Sequence, residues 1–458
     1  MKRIVGLVAA LSVTACSMEP PVPNRALPVP PSWPAGDAYL AAAEAPLPSV
    51  TYRDLFRDPR LQALISQAMV NNRDLLVAAA NIDAARAQVR ITRANQLPTV
   101  DATGKASISG DGKGTTTQSY ALDASVPAFE LDLFGRLRSL TKADRQRLLA
   151  TEAGARATKL SLVANIADAW VQYAADSSDL AIAEATAAAA AKSITLTRER
   201  LEGGIAPRTD LDQATQILET ARGDLAVARA ARAQDINALQ LLVGAPVATN
   251  LLPASIDQVF ASFAALPAGL DSRVLLRRPD VIQAEYEMRA ANAQIGAARA
   301  ALFPTISLTG LLGFASDALG SLFSAGAFAW SAGANASYTI FQSGAGHARV
   351  AQSKAERDAA LFTYEKAIQT AFREVADALA SRGVMAERLR SAAANRAAAA
   401  DTARLTDARY RGGIDPFLTV LDASRTYYGT QRSEVAVRLA ALQNLIDLYR
   451  TIGADRSL

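Results

Sequence analysis

Residues 99–109 read TVDATGKASIS. Apolar or small residues fill every second position of this stretch, and polar residues fill the positions between them. An alternation with a period of two over about 10 residues predicts a β-strand with one apolar and one polar face. Its length and pattern match a strand that crosses a membrane, with lipid on one side and water on the other. A half-buried hairpin of a soluble domain would show the same local pattern.

Three further stretches show this alternation, at residues 119–126, 305–312 and 328–339. Four strands are too few to close a barrel, because about eight strands are the practical minimum. If the strands cross a membrane, the chain must therefore oligomerise. Three copies would supply about twelve strands.

Two long proline-free stretches, rich in alanine and charged residues, predict helices at about 138–200 and 345–411. Some 60 residues would form a helix of about 90–100 Å, which is typical of a coiled coil or a tube. Apolar residues at three- and four-residue spacing support this interpretation, although an ordinary buried stripe would look similar. The two predicted seams are Leu160, Val163, Ala167, Trp170 and Ala174, and Val435, Leu439, Leu442, Ile446 and Tyr449.

The N-terminus has the pattern of an export signal. Residues 1–15 contain two basic residues and an apolar run that is too short to span a bilayer of about 30 Å. The run ends at Cys16, the only cysteine, in a context that resembles a bacterial lipobox. We therefore expect signal-peptide cleavage and a covalent lipid such as palmitate on Cys16. In the lipoproteins that this segment resembles, an aspartate after the cysteine favours the inner membrane, so the resemblance implies that Ser17 directs the chain to the outer membrane. Residues 16–59, rich in proline, predict an extended lipid-anchored segment without its own core.

The order of elements occurs twice, which predicts an internal duplication. Residues 87–100 correspond to residues 293–306, and Gly203-Gly204-Ile205 corresponds to Gly412-Gly413-Ile414. Each half contains a helix, two strands, a long helix, a Gly-Gly-Ile turn and a return helix. This places the first repeat at residues 60–250 and the second at residues 251–458.

Several motifs together resemble the outer membrane factor family of TolC-type ducts, and most closely its lipidated drug-efflux branch. The motifs are Phe129–Arg136, Asn237–Leu239 with Leu242–Gly244, Leu275–Asp280, and Tyr410–Ile414 with Leu418–Ala423. The resemblance covers nearly the whole mature chain. It implies a mainly α-helical homotrimer with a twelve-stranded β-barrel part in the outer membrane. Its long coiled-coil helices would form an α-barrel tunnel through the periplasm.

The resemblance also implies a function. The chain would be the passive exit duct of a tripartite multidrug efflux pump, together with a periplasmic adaptor (membrane fusion) protein and an inner-membrane RND pump. It would not be an enzyme. The adaptor would contact the two tips of each chain, formed by Gly203, Gly204, Ile205, Gly412, Gly413 and Ile414.

The pore constriction implied by the family is carried over to Leu418 and Asp422. These residues are four positions apart and share one helix face. In a trimer they would form an apolar ring and an acidic ring, and the three carboxylates would repel one another or bind a cation. Many family members carry a further acid where this chain has Thr419, so the acidic ring is sparser here.

Other chemistries find little support. The net charge is only +4 and charges of both signs are interleaved, so no nucleic acid partner is predicted. A single histidine, His347, with five methionines and one cysteine does not indicate a metal relay, and no cofactor besides the lipid is expected. Glu130 and Asp132 are expected to bond to backbone or to Arg136 and not to act as an acid–base pair.

Two alternatives remain open from the sequence. The same fold could serve as a duct for type I protein secretion. The chain could also be a structural periplasmic coiled-coil lipoprotein without a pore.

Overall fold

The structure is a computed structural model that describes residues 18–23, 28–30, 51–110, 112, 114, 116–264, 272–324, 326–453 and 455. Residues 1–15 and Cys16 lie outside the described residues, so the predicted signal peptide and lipid site stay predictions. The same holds for most of the proline-rich segment before residue 51.

The described part of the chain is mainly helical, with one four-stranded sheet. None of its helices combines the length and the apolar character needed to cross a membrane. The elements are α1 (Tyr52–Leu55), α2 (Pro59–Asn71), α3 (Arg73–Ala94), β1 (Asp101–Gly110), β2 (Thr116–Glu130), α4 (Arg136–Glu202), α5 (Arg208–Val243), α6 (Ile256–Phe260), α7 (Pro279–Ala300), β3 (Thr305–Ser316), β4 (Phe328–Ser337), α8 (Ala345–Arg411) and α9 (Phe417–Ile452).

The chain divides into two compact units. Unit 1 contains Met1–Ala26, Ala80–Ala153 and Ile282–Lys366, and so holds the sheet. Unit 2 contains Leu27–Ala79, Gly154–Val281 and Ala367–Leu458.

All four predicted strands are present in unit 1, and they form an antiparallel sheet in the order β1-β2-β3-β4. Strand β2 extends further than its alternating stretch because the register with β3 shifts between Val126 and Phe129. Pro127 lies inside this shift, where the missing backbone N–H removes no ladder hydrogen bond. In the single chain, every residue of the edge strands β1 and β4 is exposed.

The acidic residues after β2 organise the start of α4, as the sequence predicted. Arg136 donates to both carboxylate oxygens of Glu130, at 2.9 and 2.5 Å. Asp132 accepts from the backbone N–H groups of Leu137 and Arg138, at 3.2 and 2.8 Å. Because the first N–H groups of a helix have no partner within it, Asp132 caps α4.

In unit 2 the two return helices end in the same way. Helices α5 and α9 are each 36 residues long, and each ends at a glycine in the left-handed conformation, Gly244 and Gly453. The amide of Asn72 donates to the carbonyl of Leu242 at 2.8 Å. At the matching place in the second half, Arg278 donates to the carbonyl of Thr451 at 2.9 Å.

Arg278 makes more polar contacts than its counterpart Asn72. The side chain is 9% exposed and also pairs with Asp280 at 2.7 Å and Glu374 at 2.8 Å. Burial alone raises the pKa of Asp280, but the hydrogen bonds and charge of Arg278 outweigh it, and the pKa lies below its usual value. A buried arginine is stable here because each side of its guanidinium has a partner.

The seam predicted on α4 forms part of the core of unit 2. Each of its five residues is at most 7% exposed, and the indole of Trp170 donates to the carbonyl of Leu251 at 3.0 Å. Asp168 lies beside this seam with one carboxylate oxygen that is buried and without a hydrogen-bond partner in the described residues. Burial raises the pKa of Asp168 to about 7, the charge of Asp447 adds to the rise, and Arg450 opposes it.

We predict that Gly244→Ala destabilises the protein by at least about 2 kcal/mol. The glycine has φ +72°, and an added Cβ would lie 2.8 Å from the carbonyl carbon of Asn71. Gly223→Ala is the matched control, because Gly223 lies within α5 and a Cβ there meets nothing within 4 Å. Thermal unfolding should show a lower Tm for the first variant and an equal or higher Tm for the second. Equal Tm values for the two would contradict the role of Gly244.

A second prediction concerns pH. The folded pKa of Asp168, about 7, lies above its ordinary value, so the folded state holds this proton more tightly. The contribution of protonated Asp168 to the stability of the fold is complete below about pH 4 and is lost as the pH rises through about 7. Tm should therefore fall between about pH 4 and about pH 7, and Asp168→Asn should reduce the fall. An equal fall in the variant would show that Asp168 is already ionised in the fold.

Candidate functional site: two helix-reversal turns and the open face of α9

Two turns reverse the long helices of unit 2. Turn 1 is residues 203–207, between α4 and α5, and turn 2 is residues 412–416, between α8 and α9. In turn 1 the N–H of Gly204 bonds to Leu201 and that of Ile205 to Arg200, at 3.0 and 2.8 Å. In turn 2 the equivalent bonds run from Gly413 to Tyr410 and from Ile414 to Arg409, at 3.0 and 2.9 Å. This pair of crossed bonds is the Schellman motif, which satisfies the last carbonyls of a helix.

Only the second glycine of each pair is required by the backbone. Gly204 and Gly413 have φ +71° and +73°, a region that side chains rarely adopt. Nothing lies within 4 Å of a Cβ at either position, so conformation and not crowding selects glycine. Gly203 and Gly412 do not have positive φ.

The isoleucine that follows each glycine pair is exposed. Ile205 is 73% and Ile414 is 66% accessible in the single chain. In many Schellman motifs the residue at this position packs back on its own helix. Here both side chains are available for contact with another molecule, as the tip prediction requires.

Different side-chain contacts hold the two turns in place, and the sequence pattern did not predict this difference. In turn 2, Arg409 donates to both oxygens of Asp415, at 2.7 and 2.9 Å. The hydrogen bond from Arg409 holds the pKa of Asp415 below its usual value. In turn 1, Ala206 takes the place of the acid. The equivalent Arg200 instead lies over the ring of Tyr410, with its guanidinium carbon 4.4 Å from the ring centroid.

A hydrophobic cluster lies behind the turns. Tyr410 and Phe417 are in contact, with ring centroids 5.4 Å apart. The other buried members of the cluster are Ala190, Ile194, Ala214, Leu218, Val420 and Leu421. A cavity of about 420 Å³ adjoins them, and Tyr428 at its edge donates to Asp224 at 3.3 Å. The cluster therefore joins residues of α4, α5, α8 and α9.

Helix α9 has two distinct faces after turn 2. Phe417, Val420 and Leu421 face the cluster and are buried. Leu418 is 55% accessible, and Asp422 is exposed as well. The structure thus brings the two predicted constriction residues to one open face, and their role in a pore stays a prediction.

The other sequence-based candidates take structural positions. Glu130 and Asp132 bind Arg136 and the start of α4, as described above. His347 is exposed in the first turn of α8. Among the residues that the structure describes, no group of three or more His, Cys, Asp or Glu side chains could hold a metal ion.

Comparison with known proteins gives consistent matches. The family model described as outer membrane efflux protein matches residues 64–245 and 270–454. A probable efflux pump outer membrane protein, TtgC of Pseudomonas putida, is 40% identical over 456 residues, which cover 97% of this chain and 94% of the relative. The cation efflux system protein CusC of Escherichia coli is 36% identical over 98% of this chain and 99% of its own length.

A solved structure shows the same fold at high similarity. The open state of the Neisseria gonorrhoeae MtrE outer membrane channel superposes with a TM-score of 0.86 at 33% identity, over 96% of this chain and 98% of that one.

We predict that Asp415→Asn loosens turn 2 and leaves turn 1 unchanged. The variant removes the charged partner of Arg409 and keeps the side-chain size. Amide hydrogen exchange at Gly413 and Ile414 should accelerate on the order of twofold to fivefold, the range for an exposed ion pair. Gly204 and Ile205 of turn 1 serve as the internal control. Unchanged exchange in turn 2 would mean that its backbone hydrogen bonds suffice without the ion pair.

Proposed function

The chain belongs to the outer membrane efflux protein family, and we propose that it serves as the outer-membrane exit duct of a tripartite efflux pump. In this role it passively conducts small molecules from an inner-membrane transporter and a periplasmic adaptor to the exterior. The observation that carries the proposal is a family match across both halves of the chain, with relatives that cover nearly its whole length. No catalytic step is needed.

The working form in this proposal is a homotrimer. The sheet of one chain has two free edges, β1 and β4, whose residues are all exposed. Unpaired backbone groups at such edges favour pairing with another strand, and inside a membrane they must be paired. Joining β4 of one chain to β1 of the next in three copies would close a twelve-stranded barrel.

The proposed duplication gives this trimer a sixfold character. Both halves contain a helix of 67 residues followed by one of 36 residues. The contacts of Asn72 with Leu242 and of Arg278 with Thr451 occupy equivalent places. The repeat boundaries at residues 60–250 and 251–458 follow from this correspondence.

Turns 1 and 2 are the proposed adaptor-contact tips. Each presents an exposed isoleucine on a rigid glycine turn, and three chains would present six such tips. The partners are therefore an adaptor with a repeated, partly apolar docking end and, through it, an inner-membrane RND pump. Cys16 is the proposed lipid site that anchors the N-terminus in the outer membrane, and the mass of the mature N-terminal peptide would show the lipid directly.

Leu418 and Asp422 are the proposed constriction. Both lie on the open face of α9, away from the cluster behind the turns. In a trimer with α9 facing the axis, three leucines and three aspartates would narrow the pore. Opening would require α8 and α9 to move together, because turn 2 and its ion pair join them.

The relatives favour efflux over protein secretion, since TtgC and CusC are both named as efflux proteins. They also argue against a structural lipoprotein without a pore, because the MtrE match is a channel.

The test is conductance of the purified protein in planar bilayers. We expect a small closed-state conductance that rises in Leu418→Ala and Asp422→Ala and rises most in the double variant. Thr209→Ala and Gln213→Ala are matched controls, because they occupy the equivalent positions of α5 and should leave the conductance unchanged. If the double variant behaves like the control pair, the constriction lies elsewhere. If no variant conducts, the duct function itself is wrong.

A further inference from the structure

The residues just after Cys16 bind a polar site on unit 1. The carboxylate of Glu19 accepts from Lys142 of α4 at 2.6 Å and from Asn292 of α7 at 3.1 Å. The same Asn292 amide donates to the carbonyl of Pro20 at 2.8 Å. Arg299 donates to the carbonyl of Met18 at 3.1 Å. Backbone and side chain of the segment are therefore both recognised.

The site is built into the helices. Asn292 is fully buried, and the Glu19 side chain is only 11% exposed. Its neighbours Ala293, Ile295 and Ala297 on α7 are apolar and buried. A buried N–H donor needs acceptors, and Glu19 and Pro20 supply them for the amide nitrogen of Asn292, whereas its amide oxygen has no hydrogen-bond partner in the described residues.

Gly296 provides the space for the segment. A Cβ at this position would lie 3.2 and 3.3 Å from the backbone N and Cα of Glu19, and 2.9 Å from the hydroxyl of Ser139. The φ of Gly296 is not positive, so close approach and not conformation explains this glycine. The segment lies directly on the α7 backbone at this point.

The contacts also give the direction of the segment. Met18 lies at Arg299, Glu19 at Gly296, and Pro20 at Asn292, so the chain runs antiparallel to α7. Helix α7 ends at Ala300, and β3 begins at Thr305. The earlier residues of the segment are therefore the ones nearest the strands.

We infer that residues 18–20 are a docking segment, and that Lys142, Asn292 and Arg299 form its binding site and aim the N-terminal end toward the strands. Two residues span at most about 7 Å, so position 16 is held within about 7 Å of Met18. In the membrane arrangement of the proposed function, on which this consequence rests, the lipid is delivered to the membrane surface next to the strands. A free tether would leave its position undefined.

The docking segment also joins the two halves of the chain. Lys142 belongs to the first repeat, whereas Asn292 and Arg299 belong to the second. One carboxylate thus bridges helices that lie 150 residues apart in sequence. The segment fastens α4 to α7 close to where both helices meet the strands.

The test uses the full chain in lipid nanodiscs, with a nitroxide on Val22→Cys, which is 44% exposed in the native protein. The native segment should give an immobilised spectrum. Glu19→Gln keeps a hydrogen-bond acceptor for Asn292 but loses the charge, whereas Glu19→Ala loses both. We expect the docked-to-free ratio to fall in Glu19→Gln and to fall by about tenfold or more in Glu19→Ala.

Glu219→Ala is the control, since Glu219 forms an exposed ion pair with Arg222 on α5. In the Glu219→Ala variant, the label at position 22 should remain as immobilised as it is with the native segment. Lys142→Met offers a second variant that leaves the segment itself intact, and it should also release the label. Equal mobility in the native protein and in Glu19→Ala would overturn the inference.

Direction is tested with a second label, on Met18→Cys, whose recognised group is its backbone carbonyl. Oxygen, which concentrates in lipid, should relax the label at position 18 more strongly than the label at position 22. The reverse order would refute the proposed direction. Both labels could give immobilised spectra and yet be relaxed by oxygen no more than a label in α5. In that case the docking segment is supported, but the membrane placement in the proposed function is wrong.

Discussion

A helix cannot satisfy its own last carbonyls, and this constraint organises the chain. The long helices α4 and α8 solve it with a left-handed glycine and two crossed backbone bonds, which turn the chain back on itself. The return helices α5 and α9 solve it with another glycine and a donor from a distant side chain, Asn72 or Arg278. The hydrophobic cluster behind the turns can form only because both reversals are tight, and Leu418 and Asp422 reach the open face of α9 by the same geometry.

Local pattern predicted the elements well because each has a local cause. Period-two alternation located all four strands, and the lack of proline located α4 and α8 to within a few residues. The second strand was expected only over the alternating residues 119–126 but continues to Glu130, and the register shift that allows this depends on the pairing with β3. The partners of Asn72 and Arg278 could not be predicted, because Leu242 and Thr451 lie some 170 residues away. Both partners are backbone carbonyls, which every residue has, so no residue type in the sequence marks them. The roles of the tips and of the constriction came from the family resemblance and not from periodicity.

The two halves use equivalent residues differently. Arg409 closes an ion pair within its own turn, whereas Arg200 reaches across to Tyr410 of the other half. The first helix pair is thereby attached to the base of turn 2, next to the proposed constriction. Tyr410 also contacts Phe417, so a single aromatic side chain lies between an arginine of one repeat and the return helix of the other. A displacement of either helix pair must change this contact.

The order of the sheet has a consequence for biogenesis. Strand β3 pairs with its neighbour β4 and also with β2, which lies far back in the sequence, so Tyr120 meets Ser316 only after nearly 200 further residues have been exported. During that time the first hairpin carries an unprotected edge, and such edges promote aggregation. Non-local pairing of this kind also folds slowly. Export speed and chaperone supply, more than the stability of the finished protein, are then expected to limit how much of this chain a cell can assemble.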